Sequence, residues 1–210
     1  MGGMRDGNMA IMPSRTARRA DARTAGRLAP RIVLRTPAPA DAQVFVAAAI
    51  ASRRLHGAWA RAPSTPAEFR AYLARYADAD PAATHAGLIA LRRDDGTPAG
   101  VFNFSNIVRG VFQSAYLGYY AFAPLAGQGY MTEAMALALD QAFGPMKLHR
   151  VEANVQPANT RSVALVERLG FAREGYSRRY IKVAGRWRDH VRYAMLVEDW
   201  RSGRRDRVLR

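Results

Sequence analysis

Regular hydrophobic patterning begins at residue 31. Arg31-Ile32-Val33-Leu34-Arg35-Thr36 alternates as a half-buried strand does, and Pro37 and Pro39 end it. Asp41 is placed to cap an apolar-periodic helix over residues 42 to about 55. Thr65-Pro66-Ala67-Glu68 reads as a capping box with proline at the first helical position, opening a second helix over Phe69, Tyr72, Leu73 and Tyr76. Strands are predicted at 86–91 and 100–107, around the turn-rich Arg93-Asp94-Asp95-Gly96. A further strand, about 114–120, leads through Gly127-Gln128-Gly129 into a helix over 130–143. A strand (149–155), a helix (159–169, closed by Gly170) and a final hairpin (about 176–183 and 186–196) complete the pattern. The order is β-α-α-β-β-β-α-β-α-β-β, with no internal repeat and no second core. It describes one α+β domain around a mixed sheet.

Composition narrows the chemistry. The 210 residues contain no cysteine, which excludes disulfides, thiolate metal sites and a cysteine nucleophile. No stretch approaches the ~20 apolar residues of a membrane-spanning helix. The net charge of +15 suggests a nucleic-acid binder, but only Lys147 and Lys182 are lysines, so arginine supplies nearly all of it. Residues 1–30 hold six arginines against Asp6 and Asp21, and residues 201–210 hold five against Asp206. More than half of the excess therefore sits on the ends. We expect a basic, disordered extension over 1–30, a folded domain over 31–200 and an Arg-rich tail over 201–210.

The most informative segment is Pro124-Leu125-Ala126-Gly127-Gln128-Gly129-Tyr130-Met131-Thr132-Glu133-Ala134. Two glycines at a helix start let several N–H groups converge, and with the helix dipole they form an anion cradle. Alone, such a loop can equally be a tight turn. About thirty residues on, Asn154-Val155-Gln156-Pro157-Ala158-Asn159-Thr160-Arg161-Ser162 ends a strand and starts a helix, with Asn159 as cap. Both helix starts must face one cleft for a shared function.

These segments resemble the GNAT (GCN-five-related) N-acetyltransferases, in the branch similar to ribosomal-protein N-terminal acetyltransferases of the RimJ/RimL type. The resemblance covers about residues 31–197. It rests on Phe102-Asn103-Phe104-Ser105-Asn106-Ile107, Leu117-Gly118-Tyr119-Tyr120, the 127–134 loop, Leu148-His149-Arg150-Val151-Glu152-Ala153, Asn159-Thr160-Arg161-Ser162 and Leu169-Gly170-Phe171, in family order and spacing. It implies a single GNAT-like domain whose mixed central sheet is flanked by helices, with parallel strands splayed at the acetyl-CoA site. The pyrophosphate of acetyl-CoA would rest on the amides of Ala126, Gly127, Gln128, Gly129, Tyr130, Met131 and Thr132. Its pantetheine arm would follow Tyr120, Ala121 and Phe122 and meet Asn159. The sequence departs from the family at Pro124, which offers neither N–H nor polar side chain at the first loop position.

The resemblance also bears on catalysis. Many members use a tyrosine four residues before the Gly-Phe pair as general acid; Val166 stands there. The serine of the ribosomal-protein branch corresponds to Ser162, the candidate acid, with a cap or cofactor contact as its other reading. Glu152, on a strand lining the cleft, is the candidate base if strand alternation points it inward. A base glutamate found on the family's last hairpin aligns near Ile181 and does not transfer. Asp189 and His190 can orient substrate or be surface and core. His56, His85 and His149 lack metal-ligand spacing, so no metal is expected. Phe102, Phe104, Tyr116 and Tyr120 fit a strand core, whereas Asn103, Ser105, Asn106 and Tyr119 are candidates for lining an acceptor groove.

The resulting expectation is acetyl transfer from acetyl-CoA to a primary amine, foremost the N-terminal α-amine of a protein. The alternatives are a small amine (an antibiotic, amino acid or polyamine) or a non-catalytic acyl-CoA- or RNA-binding module. A cytoplasmic monomer or homodimer without membrane contact is expected, with the arginine ends able to bring it near RNA or a ribosome.

Overall fold

The computed structural model describes residues 30–77 and 82–204. Residues 1–29 of the expected N-terminal extension and 205–210 of the expected Arg-rich tail lie outside the described residues. Seven strands form one sheet: β1 (Ile32–Arg35), β2 (Ala86–Arg92), β3 (Pro98–Val108), β4 (Ser114–Ala121), β5 (Arg150–Val155), β6 (Ala172–Val183) and β7 (Arg186–Leu196). Their spatial order is β1-β2-β3-β4-β5-β7-β6. All neighbours are antiparallel except β4 and β5.

Both faces of the sheet are covered, and alternation on β3 shows how. Phe102 and Phe104 point to one face, where they join Met135, Leu139, Val151 and Val166 beneath α4 (Tyr130–Phe143) and α5 (Thr160–Arg168). Val101 points to the other face, where Phe45, Phe69, Tyr72, Ile89 and Phe122 form a second apolar cluster. That cluster packs under α1 (Ala42–Ala51) and α3 (Pro66–Tyr76). The expectation of no second core is thus corrected: there is one sheet with an apolar layer on each face.

The first predicted helix is broken. Ser52 is fully buried, and its hydroxyl both donates to the Ala48 carbonyl at 2.6 Å and accepts the Ala123 amide at 2.8 Å. The chain resumes as the four-residue α2 (Arg53–His56) and turns at Gly57. Asp41 does not cap α1 with its side chain. Its carboxylate instead accepts from Arg35 at 2.7 Å and from the Ala38 amide at 2.7 Å, locking the β1–α1 connection. At α3 the predicted cap is present: Thr65 Oγ1 accepts the Glu68 amide at 3.2 Å. Glu68 completes the corner through the Ser64 amide at 2.7 Å.

After β7, Trp200 is buried and donates to Asp140 at 2.9 Å, fixing this segment against α4. No helix among the described residues is long and apolar enough to cross a membrane.

Candidate active site

The site arises where β4 and β5 part. They pair only at Ser114–Arg150, Ala115–Val151 and Tyr116–Glu152. Beyond these, β4 follows β3 as far as Ala121, while β5 follows β7 from Leu196 to Val191. Each strand keeps its antiparallel partner, so sheet twist opens a wedge between them. The backbone edges facing the wedge have no strand partner from Leu117 and Ala153 onward.

A cleft of about 980 Å³ runs through this wedge. At one end are Ala126, Gly127, Gly129, Met131 and Thr132; Asn159 and Ser162 border it from α5. Gly127 and Gly129 have φ of 81° and 83°, left-handed values that favour glycine. The amides of Gly127, Gln128, Gly129, Tyr130 and Met131 make no hydrogen bond among the described residues, and no side chain caps α4. Five consecutive donors at the positive end of a fourteen-residue helix suit a phosphate. Pro124 contributes through its carbonyl, which accepts from Gln128 Nε2 at 3.1 Å and turns that side chain back on the loop.

On α5, Asn159 Oδ1 accepts the Ser162 amide at 3.3 Å. This leaves the Asn159 Nδ2 hydrogens available to a ligand carbonyl. Ser162 Oγ lies 2.5 Å from the Tyr119 phenol, which burial pushes well above the usual tyrosine range. Across the wedge, His56 Nε2 lies 2.8 Å from the Ala121 carbonyl oxygen, and Arg54 and Trp59 line the same side. The ionisable lining other than tyrosine is cationic or imidazole: Arg54, His56, Arg161, Arg168 and His190. No aspartate or glutamate among the described residues lines the cleft.

Residues 31–172 match the model of the acetyltransferase (GNAT) domain. The chain belongs to this family. It is 44% identical over 111 residues to the [Ribosomal protein uS5]-alanine N-acetyltransferase of Escherichia coli (strain K12), across 53% of this chain and 57% of that protein. The chain therefore spans little more than half the length of that relative. The putative ribosomal N-acetyltransferase YdaF of Bacillus subtilis (strain 168) is 30% identical over 177 residues, 80% of this chain and 93% of YdaF. Among solved structures, Mycobacterium smegmatis RimJ in complex with CoA-disulfide superposes with a TM-score of 0.77 at 26% identity, covering 85% and 88% of the two chains. A spermidine N-acetyltransferase from Vibrio cholerae, at 19% identity and TM-score 0.68 over 81% and 98%, shares the fold.

The GNAT domain brings many of the expected positions together: Asn103, Tyr119, Tyr120, Ala121, Ala126, Gly127, Gly129, Met131, Thr132, Asn159 and Ser162 all line the cleft. Tyr119, expected at an acceptor groove, instead turns its phenol to Ser162. Asn103 accepts from the Tyr72 hydroxyl at 2.8 Å. Other side chains lie elsewhere. Phe122 is fully buried against Phe45, with ring centroids 5.4 Å apart, and offers a ligand nothing but backbone. Gln128 and Tyr130 likewise contribute amides, the Tyr130 ring sitting 4.3 Å beneath the Arg31 guanidinium.

Glu152 is a correction. It shares a sheet face with cleft-lining Asn154, but it sits where β4 and β5 are still joined, and Arg150 Nε donates to it at 2.9 Å. Ser105 pairs with Tyr116 in the same closed part of the sheet, and Asn106 is exposed at the adjoining irregularity with φ 49°. Neither lines the cleft. Arg54, His56, Trp59 and His190 also line the cleft, together with Asn154 and Gln156 of the segment leading into α5. In the sequence they are polar or aromatic residues beside a strand or helix end, a feature that many surface positions share.

Proposed function

We propose that this chain transfers the acetyl group of acetyl-CoA to the N-terminal α-amine of a protein. The observation that carries this reading is the charge of the cleft: arginines and histidines, with no carboxylate among the described residues. A polyamine would be repelled there, whereas an α-amine needs no acidic pocket. With a pKa of about 7.7–8.0 against about 10.4 for a lysine, an α-amine is also substantially neutral near pH 8 and able to attack. The relatives named for ribosomal-protein acetylation support the same acceptor class.

Bound acetyl-CoA supplies an acyl group already activated as a thioester. The amides of residues 127–131 receive its pyrophosphate, and Asn159 holds the pantetheine arm. Backbone N–H groups on the open edge of β4, between Leu117 and Ala121, are placed to stabilise negative charge on the carbonyl oxygen. The Ser162 hydroxyl donates a proton to the departing sulfur. Attack is direct, consistent with a chain that has no cysteine.

The test is a thiol-release screen with acetyl-CoA, comparing peptides of varied N-terminal residues with small amines including spermidine. Turnover on peptides bearing a free α-amine, lost when that amine is blocked, is expected. Turnover on small amines alone overturns the acceptor assignment.

A further inference from the structure

The displacement of Glu152 leaves open where the acceptor amine sheds its proton. Building on the acetyl-transfer reading above, we propose that His190 of β7 is the general base of this site. His190 lines the cleft and is 4% exposed.

Its position follows from strand register. Arg192 pairs with Asn154, so His190, two residues along β7, lies on the Asn154 face of the sheet. Tyr116 pairs with Glu152, which puts Tyr116, Gly118 and Tyr120 on that same face. Tyr119 points the opposite way and meets Ser162 on α5. His190 and Ser162 therefore border the wedge from opposite faces of the sheet. An amine entering beside His190 and a sulfur leaving beside Ser162 would thus be served by two separate groups.

Hydrogen bonding sets the tautomer. His190 Nδ1 lies 3.0 Å from the Arg188 carbonyl oxygen, which can only accept, so Nδ1 carries the hydrogen. The lone pair is then on Nε2, which makes no hydrogen bond among the described residues. Burial also pushes the imidazole below its usual range, keeping it neutral near pH 7. The surrounding groups act in both directions. Arg188 and Arg192 lie two residues to either side of it on β7, and Arg54, Arg161 and Arg168 line the cleft, their guanidinium groups opposing a positive charge on the ring. The Arg188 carbonyl that accepts from Nδ1, and then the neighbouring Asp189 carboxylate, favour that charge, although the carboxylate is occupied by the Tyr176 hydroxyl and the Arg179 amide. Tyr180 packs edge-on with its ring 6.3 Å away and reaches the Tyr116 hydroxyl at 3.5 Å.

In the proposed step the amine nitrogen forms the C–N bond and its N–H proton passes to His190 Nε2. The C–S bond breaks, and the sulfur takes the Ser162 proton. The imidazolium then returns its proton to solvent, from which Ser162 recovers one, so the protein ends unchanged.

The test compares the full chain with His190→Asn, which can keep a donor toward the Arg188 carbonyl but has no basic nitrogen. With acetyl-CoA and a peptide beginning with alanine, kcat/KM should fall about 100-fold, the lower range for general base catalysis. The KM for acetyl-CoA should hold, and the acid limb of the wild-type pH profile should disappear. Nitrogen-15 NMR of the wild-type imidazoles, assigned through the same variant, should find His190 Nε2 unprotonated at pH 7. A cationic or Nε2-protonated ring overturns the proposal whatever the activity, as does a variant with undiminished kcat/KM. If small amines react and peptides do not, the acceptor reading fails by itself, and the same kinetic comparison on that amine decides the role of His190. A wild type inert toward every acceptor overturns both.

Discussion

The Tyr119 phenol and the Ser162 hydroxyl meet at 2.5 Å, joining β4 to α5 at the wall of the cleft. Burial raises the phenol above the usual tyrosine range, so it stays protonated. Its hydrogen can reach Ser162 Oγ or, at 3.4 Å, the Ser162 carbonyl oxygen, and donation to Oγ is the arrangement that leaves the serine hydrogen free to point into the cleft. Val166, at the position where the family resemblance implies a tyrosine, is fully buried in the core, so under the proposed mechanism the proton comes from Ser162, one turn earlier.

Two variants separate the pair's roles. Ser162→Ala should lower kcat about 100-fold, within the range of general acid catalysis. Acetyl-CoA affinity by calorimetry should change much less; equal losses in both would reduce Ser162 to a contact. Tyr119→Phe should cost about tenfold in kcat, the equivalent of one hydrogen bond of about 1.4 kcal/mol. It should cost nothing further in the Ser162→Ala background, and additive losses would contradict the pairing.

The cofactor loop makes a sharper demand. At Gly127, with φ 81°, any side chain is strained, and a carboxylate would also oppose the phosphate. Gly127→Glu should abolish acetyl-CoA binding in calorimetry while the far-ultraviolet circular dichroism stays native. Retained affinity would remove the loop from the cofactor site.

Glu133 ties this loop to the sheet edge. Its carboxylate accepts the Ile32 amide at 3.0 Å and Arg31 Nε at 3.0 Å. Glu133→Ala should lower stability by about 1–3 kcal/mol, since the Ile32 amide loses a charged acceptor. Denaturant unfolding measures this, and a change below a few tenths would show that water replaces the carboxylate without cost.

Acid sensitivity should trace partly to Asp41. The Arg35 guanidinium, and then the Ala38 amide, hold its carboxyl below the usual range. A depressed folded pKa contributes stability above the unfolded value of about 3.9 and loses it as pH falls further. The stability gap between wild type and Asp41→Asn should therefore be full near pH 6 and shrink on acidification below about pH 4. A gap independent of pH would assign the effect to packing.

The sequence by itself determined the strands, the helices other than the first, the glycine loop and the Asn159 cap, because each depends on local periodicity or on residues within one turn. Gly127 and Gly129 are legible because positive φ is a property of the residue and its immediate backbone. Tertiary structure decided everything that depends on two segments meeting. The break at Ser52 follows from a hydroxyl that bonds Ala123, 71 positions away. Glu152 and Asn154 share a face and a strand, yet only Asn154 reaches the cleft, because β4 and β5 separate between them. His190 becomes a cleft residue through its register with β5, which no count along the chain reveals. A wedge between parallel strands is set by which partner each strand follows, so its lining belongs to the sheet and not to any one segment.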